Sequence, residues 1–124
     1  MTYNNMNRQQ VAEVIAAARA KGEKPNLAYA NLTDADLTGL DLTDANLTGA
    51  NLTYTNMDYA NLSYADLREA NLSGANLAGT NLTAADLTGA TLRAADLEGA
   101  GLDAATLTDA DLFRANLAGT VLAR

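Results

Sequence analysis

A long apolar residue recurs at every fifth position from residue 27 to residue 122, without a slip. Leu fills nineteen of these twenty places and Met57 fills the other. Two residues before each lies a small column, with Ala in fifteen cases, Thr at Thr55, Thr80 and Thr120, and Pro25 and Leu40 at the remaining two. Between the columns stands Asn in ten cases and Asp in six, and Thr or Ser follows the long residue in ten. The unit reads Ala-(Asn/Asp)-Leu-(Thr/Ser)-X. A period of five fits neither an α-helix at 3.6 nor a continuous strand at 2. Ala and Leu are two apart, so within one unit they share a face of an extended segment. An inward step of two residues followed by a bend, repeated without change, winds a coil with Leu and Ala inside. Gly occupies X at 39, 49, 74, 79, 89, 99 and 119, where a bend tolerates positive φ.

This pattern explains an unusual composition. Leu and Ala supply 47 of the 60 apolar residues, whereas Val, Ile and Phe supply five. A core of two shapes packs densely only if the backbone repeats in register. The units resemble those of the pentapeptide-repeat family. Ala45-Asn46-Leu47-Thr48-Gly49 and Ala50-Asn51-Leu52-Thr53 match its signature residue for residue. The resemblance covers residues 25–124. It implies an all-β, right-handed, quadrilateral β-helix, a solenoid of about five coils with four pentapeptides per coil. Each Leu would then stack on the Leu twenty residues away, as Leu47 on Leu67 on Leu87.

Residues 1–24 are expected to form an N-terminal segment carrying a capping α-helix at about 7–21. Asn7 and Gln10 have the spacing of a capping box. Val11, Val14, Ile15 and Ala18 share one helical face, and Gly22 is the expected stop. The helix should cover Leu27, Leu32 and Leu37. At the other end the last repeat runs to the final residue, so the fifth coil is expected to be uncapped. It is expected to pair with a second copy in a two-fold dimer through Phe113, Leu117, Val121 and Leu122.

Catalysis finds no foothold. There is no His and no Cys, which removes the commonest general base and any thiolate metal site. The repeats contain no phosphate loop and no nucleophile–base pair. The carboxylates Asp34 and Asp36 are close in sequence but lack a cleft. The chain is therefore expected not to be an enzyme and to need neither cofactor nor metal. No apolar run is long enough to cross a membrane. Glu13 interrupts the short stretch from Val11 to Ala18, which argues against a signal peptide and leaves a cytoplasmic location as the expectation.

Charge and tyrosines remain as functional signals. The net charge of −7 divides into +2 over residues 1–25 (four bases, two acids) and −9 over residues 26–124 (thirteen acids, four Arg). This disfavours direct contact with nucleic acid phosphates. Under four-fold winding, the face holding Leu37, Met57, Leu77, Leu97 and Leu117 presents Asp36, Asp58, Asp96 and Glu98 and no basic residue. Tyr54, Tyr59 and Tyr64 occupy X in three successive units, with Tyr29 one coil below. Acidic strips steer basic partners and exposed Tyr favours protein contact. The expected role is a non-catalytic protein-interaction or scaffold module. The resemblance implies an alternative, since some bacterial members resemble duplex DNA in shape and charge and bind type II topoisomerases, inhibiting them or protecting them from quinolones. That subgroup often uses Phe where this chain has Leu. A repeat module of a larger protein, or a designed scaffold, is a third reading.

Overall fold

The computed structural model describes residues 5–121. Its one helix, α1, spans Arg8–Ala20. The capping box is complete: the Gln10 N–H donates to Asn7 Oδ1 at 2.9 Å, and the Asn7 N–H donates to Gln10 Oε1 at 2.9 Å. At the other end the Glu23 and Gly22 N–H groups donate to Ala18 and Arg19 carbonyls at 2.9 and 3.1 Å, a Schellman closure with Gly22 at φ +69°. The helix is one residue shorter at each end than the sequence suggests, because Asn7 and Lys21 serve as its caps.

From Asn26 onward every fifth residue forms a single parallel bridge to the residue twenty positions later, from Asn26 with Asn46 to Gly101 with Val121. Twenty residues therefore close one turn, and four pentapeptides make its four sides. We number the sides from the bridging residues of the first coil: Asn26, Asn31, Asp36 and Asp41. A side of five residues that spends two on a corner has room for one bridging residue, so no long strand forms. Each unit is stitched upward and downward. The Leu47 and Gly49 N–H groups donate to the Asp66 and Arg68 carbonyls at 2.8 and 2.9 Å, and the Asp66 N–H returns to the Ala45 carbonyl at 2.9 Å.

The corner is a turn in which the N–H of the next unit's first residue donates to the Leu carbonyl, as Ala30 to Leu27 at 3.1 Å. The X residue is left-handed at every corner from residue 29 to residue 119, with φ between +57° and +70°. Positive φ at the third turn residue alone is the mark of a type II turn. Glycine at X therefore reports the corner, but twelve corners hold another residue there, including Tyr54, Glu69 and Ala84. The second stabiliser is the Asn/Asp column. All sixteen of its side-chain oxygens accept the N–H two residues on, at 3.0–3.3 Å, each forming an Asx turn.

Among the described residues the interior holds the two columns and Val11, and nothing ionisable. Leu32 through Leu92 of the long column, with Met57, are fully buried, and the Ala column lies beside them. Thr55 and Thr80 are buried in that column, and their hydroxyls donate to the Leu52 and Met57 carbonyls at 2.8 and 3.1 Å. Val11 of α1 is buried in the same cluster as Leu27, Leu32 and Leu37, with Met6, Val14, Ile15 and Leu40 packed against it.

The first coil also has carbonyls that no earlier coil can reach. The N-terminal segment supplies donors to five of them. Met6 N–H reaches Asn31 O at 2.9 Å and Asn5 Nδ2 reaches Thr33 O at 2.9 Å. Arg8 Nη1 reaches Asp36 O at 3.3 Å, and Arg19 Nη2 reaches Asp41 O and Thr43 O at 3.2 and 3.1 Å. The equivalent carbonyls one coil up, such as Asn51 and Thr53, accept from the coil below them.

Register between coils makes two chemically identical glycines unequal. A Cβ added to Gly99 would meet nothing within 4 Å, whereas one added to Gly79 would come 2.6 Å from Tyr59 Cε1. Gly99→Ala is expected to cost about 1 kcal/mol for the left-handed backbone. Gly79→Ala is expected to cost about 1 kcal/mol more, for the displaced ring packing. In a Tyr59→Ala background the two should become equal, a result that urea unfolding of the four proteins would read; a difference that persists would reject the ring as its cause.

Candidate functional site

With no titratable group buried among the described residues, the chemistry they offer lies on the outer surface. Among the described residues there is no pocket and no grouping of acids that could hold a metal ion. No helix of the described residues is long and apolar enough to cross a membrane. The side chains that remain are sorted by which coil-to-coil partner they meet.

Four of the five described ion pairs that tie acids to bases bridge separate segments. Arg68 joins Asp66 at 2.7 Å and Asp86, one coil up, at 3.9 Å. Arg93 pairs with Asp111 at 3.0 Å, and its guanidinium lies 4.7 Å from the Phe113 ring, whose centroid is also 5.3 Å from Arg114. Two further pairs come from α1: Arg8 with Asp36 at 3.7 Å and Arg19 with Asp41 at 3.6 Å. The Arg8 pair corrects the expectation of a third side without basic residues. Arg8 is distant in sequence and reaches that side because α1 lies against the first coil.

The same geometry sets the titration of the paired acids. The Thr43 hydroxyl, then its N–H, hold the Asp41 carboxyl below the usual range, against some desolvation, and Arg19 adds to them. Asp36 is lowered in the same way by Thr38, and Asp111 chiefly by the Phe113 N–H. The Arg68 hydrogen bond lowers Asp66, and Asp66 raises Arg68 in return. A depressed carboxyl contributes stability that is present above its unfolded pKa and lost as pH falls through its folded one. Thermal stability should therefore be level from pH 7 to about 5 and decline from there toward pH 2. Asp41→Asn keeps the turn acceptor and should flatten part of that acid limb in thermal melts, without changing the slope above about pH 5. An unchanged acid limb would reject this assignment.

The candidate residues fall as follows. Asp36 and Asp96 stand on the third side, while Asp58 and Glu98 stand on the corner between the third and fourth sides, two coils apart and in one column with Ala78. Asp58, Asp96 and Glu98 make no ion pair among the described residues. Asp96 accepts from Asn116 Nδ2 at 3.2 Å instead. Tyr54 and Tyr59 take the two corners that flank the third side, and Tyr64 takes the next corner round. Tyr29, Tyr54, Tyr59 and Tyr64 are 62–77% exposed. Their rings do not point straight out. Those of Tyr29, Tyr54 and Tyr59 lean over Gly49, Gly74 and Gly79 of the next coil, where a Cβ would collide with them. Tyr64 faces Ala84 in that register. Phe113, Leu117 and Val121 belong to the last described coil and are 54%, 42% and 53% exposed, each on a different side; Leu122 lies outside the described residues. The Arg93–Phe113–Arg114 stack escaped the sequence reading, although the twenty-residue offset of Arg93 from Phe113 was its signal.

A stack of four-sided coils with all specificity on its outside defines a β-helical repeat solenoid. The chain belongs to the pentapeptide repeat family: Pentapeptide repeats match it in eight copies over residues 30–68, 65–103 and 92–124. Its structural neighbours form right-handed β-helices. Rfr23, a pentapeptide repeat protein from the cyanobacterium Cyanothece 51142, is 35% identical over 77% of this chain and 61% of its own, with a TM-score of 0.65. A pentapeptide repeat protein of the Arabidopsis thaliana thylakoid lumen is 33% identical over 72% of this chain and 61% of its own, with a TM-score of 0.68. The chain thus spans about 61% of the length of these solved relatives. QnrB1, a plasmid-mediated fluoroquinolone resistance protein, matches at 24% identity over 84% of this chain and 68% of its own; with a TM-score of 0.49 it is too distant to bear on function. No curated protein matches the chain.

Proposed function

We propose that this protein is a non-catalytic interaction module whose rod presents the third side and its flanking corners to a protein partner. One observation carries the reading. Asp36, Asp41, Asp66, Asp86 and Asp111 are tied to Arg side chains; of the acids that make no ion pair among the described residues, Asp58, Asp96 and Glu98 gather on the third side and one flanking corner, whereas Asp34, Asp44, Glu69 and Asp109 stand on the other corners. In this reading residues 1–24 close the first coil of the repeat region 25–124, and a two-fold dimer through the last coil would give a dimeric mass in light scattering at micromolar concentration. The test of the module is affinity capture with the full chain as bait, quantified by mass spectrometry. A partner should be retained by the wild type and lost on changing Asp58, Asp96 and Glu98 to the corresponding amides. Retention of nothing beyond a tag-only control rejects the reading.

The second reading is a type II topoisomerase as that partner, favoured by the −9 charge of residues 26–124. A gyrase supercoiling assay at micromolar protein separates it from the first. Altered activity that is lost in the triple amide variant supports it, and unaltered activity removes it.

A further inference from the structure

The edge between the third and fourth sides differs from the other three. Going up the coils, its turn pairs are Thr38-Gly39, Asp58-Tyr59, Ala78-Gly79, Glu98-Gly99 and Ala118-Gly119. Four of its five X places are glycine, so the backbone of the corner is bare there. Tyr59 is the exception, and its ring lies along the edge over Gly79 with its outer face to solvent. Asp58 and Glu98 flank Ala78, one below and one above, and neither has a cation among the described residues. The opposite edge of the third side carries Asp34 at its base and Arg93 and Arg114 in its upper coils, with Arg93 paired to Asp111, so the edge with Asp58 and Glu98 is the more acidic of the two. This side already accepts one guanidinium, that of Arg8 beside Asp36.

We infer that this edge is a docking strip for an extended, cationic segment of a partner protein, running along the rod with basic residues at Asp58 and Glu98 and one side-chain stem across the Tyr59 ring. The inference rests on the interaction-module reading and names the partner's chemistry. Spacing supports it. Adjacent coils lie about 4.8 Å apart, so the two carboxylates are separated by about 10 Å along the rod. A polyproline II segment advances about 3.1 Å per residue, which puts every third side chain about 9 Å from the last. Basic residues three apart on such a segment match the two acids. Its backbone needs a surface without relief between them, and Ala78 with the flat face of the Tyr59 ring over Gly79 supplies it. The tyrosine face packs the stem of one of these basic side chains and adds a cation–π attraction to its charged end.

The probe is a fluorescein-labelled peptide of three Lys-Pro-Pro repeats, titrated with the full chain and followed by anisotropy. It should bind, weaken as salt is raised from 0.05 to about 0.3 M (the Debye length at 0.15 M is about 8 Å), and lose binding when Lys is replaced by Gln. Asp58→Asn with Glu98→Gln should weaken it about fivefold, the size expected for two exposed ion pairs. Tyr59→Ala should weaken it about threefold. Asp44→Asn with Asp109→Asn removes the same charge from other corners and should leave binding within about twofold. Equal loss in both double variants means attraction by net charge alone and overturns the strip. So does equal binding of a peptide with its three Lys residues clustered before six Pro, or dissociation by the peptide of a dimer held at this edge, in which case the occupant is a second copy. A captured partner that is indifferent to Asp58→Asn with Glu98→Gln overturns the strip and leaves the module reading standing.

Discussion

Replacing Leu67 by Ala should lower the unfolding free energy by about 2–5 kcal/mol, the range for deleting a fully buried Leu side chain and leaving a cavity. Leu67 is completely buried between Leu47 and Leu87 in its column. The coils above and below cannot close over the gap, because each is held in register by backbone ladders such as Leu67 to Asp86 at 2.8 Å. In a solenoid the loss is shared with both neighbouring coils, since stability is a sum of unit and interface contributions. The same change at Leu112, on the last described coil and only partly buried, should cost about 1 kcal/mol, because less apolar area leaves water there. Urea unfolding of the two variants, followed by circular dichroism, checks the contrast. Equal costs would mean that the column does not act through coil-to-coil packing.

The second large effect is expected at Val11→Asp. Val11 is the fully buried residue of α1 and sits in the cluster with the first coil. A carboxylate there has no cation and no donor, and an unpaired buried charge costs about 3–5 kcal/mol. The penalty can be escaped only by lifting α1 from the coil. That would also release the donors at Asn31, Thr33, Asp36, Asp41 and Thr43. Hydrogen exchange should then show the amides of α1 exchanging early, followed by those of the first coil, while the Leu72 to Leu87 amides stay protected. Val11→Ala keeps the helix and should cost about 1–2 kcal/mol, which separates loss of docking from loss of helix. Protection of α1 in Val11→Asp equal to the wild type would reject the docking role.

Much of the molecule was legible because its determinants are local. The capping box at Asn7 and Gln10, the stop at Gly22, the inward Leu and Ala columns and the Asx turns all involve residues within five positions of each other, and all appear where the residue pattern puts them. The left-handed corners were half legible. Seven glycines advertised them, but Tyr54, Glu69 and Ala84 adopt the same φ because the ladder on both sides of the corner holds them there. The candidate strip was legible as acids in one column. Its relation to Arg8, and the lean of Tyr59 over Gly79, were not, because neither pair is close in sequence.

The residue pattern alone determined that the chain is a repeat with a Leu–Ala interior and a corner every five residues, since those follow from side-chain alternation and turn chemistry within one unit. Tertiary structure decided how many corners close a coil, and with it every neighbour twenty residues apart: Tyr59 on Gly79, Arg68 on Asp86, Phe113 on Arg93. A five-residue period is satisfied by any number of sides. Only the sum of the bends at successive corners, fixed when the ladders of consecutive coils meet, selects four.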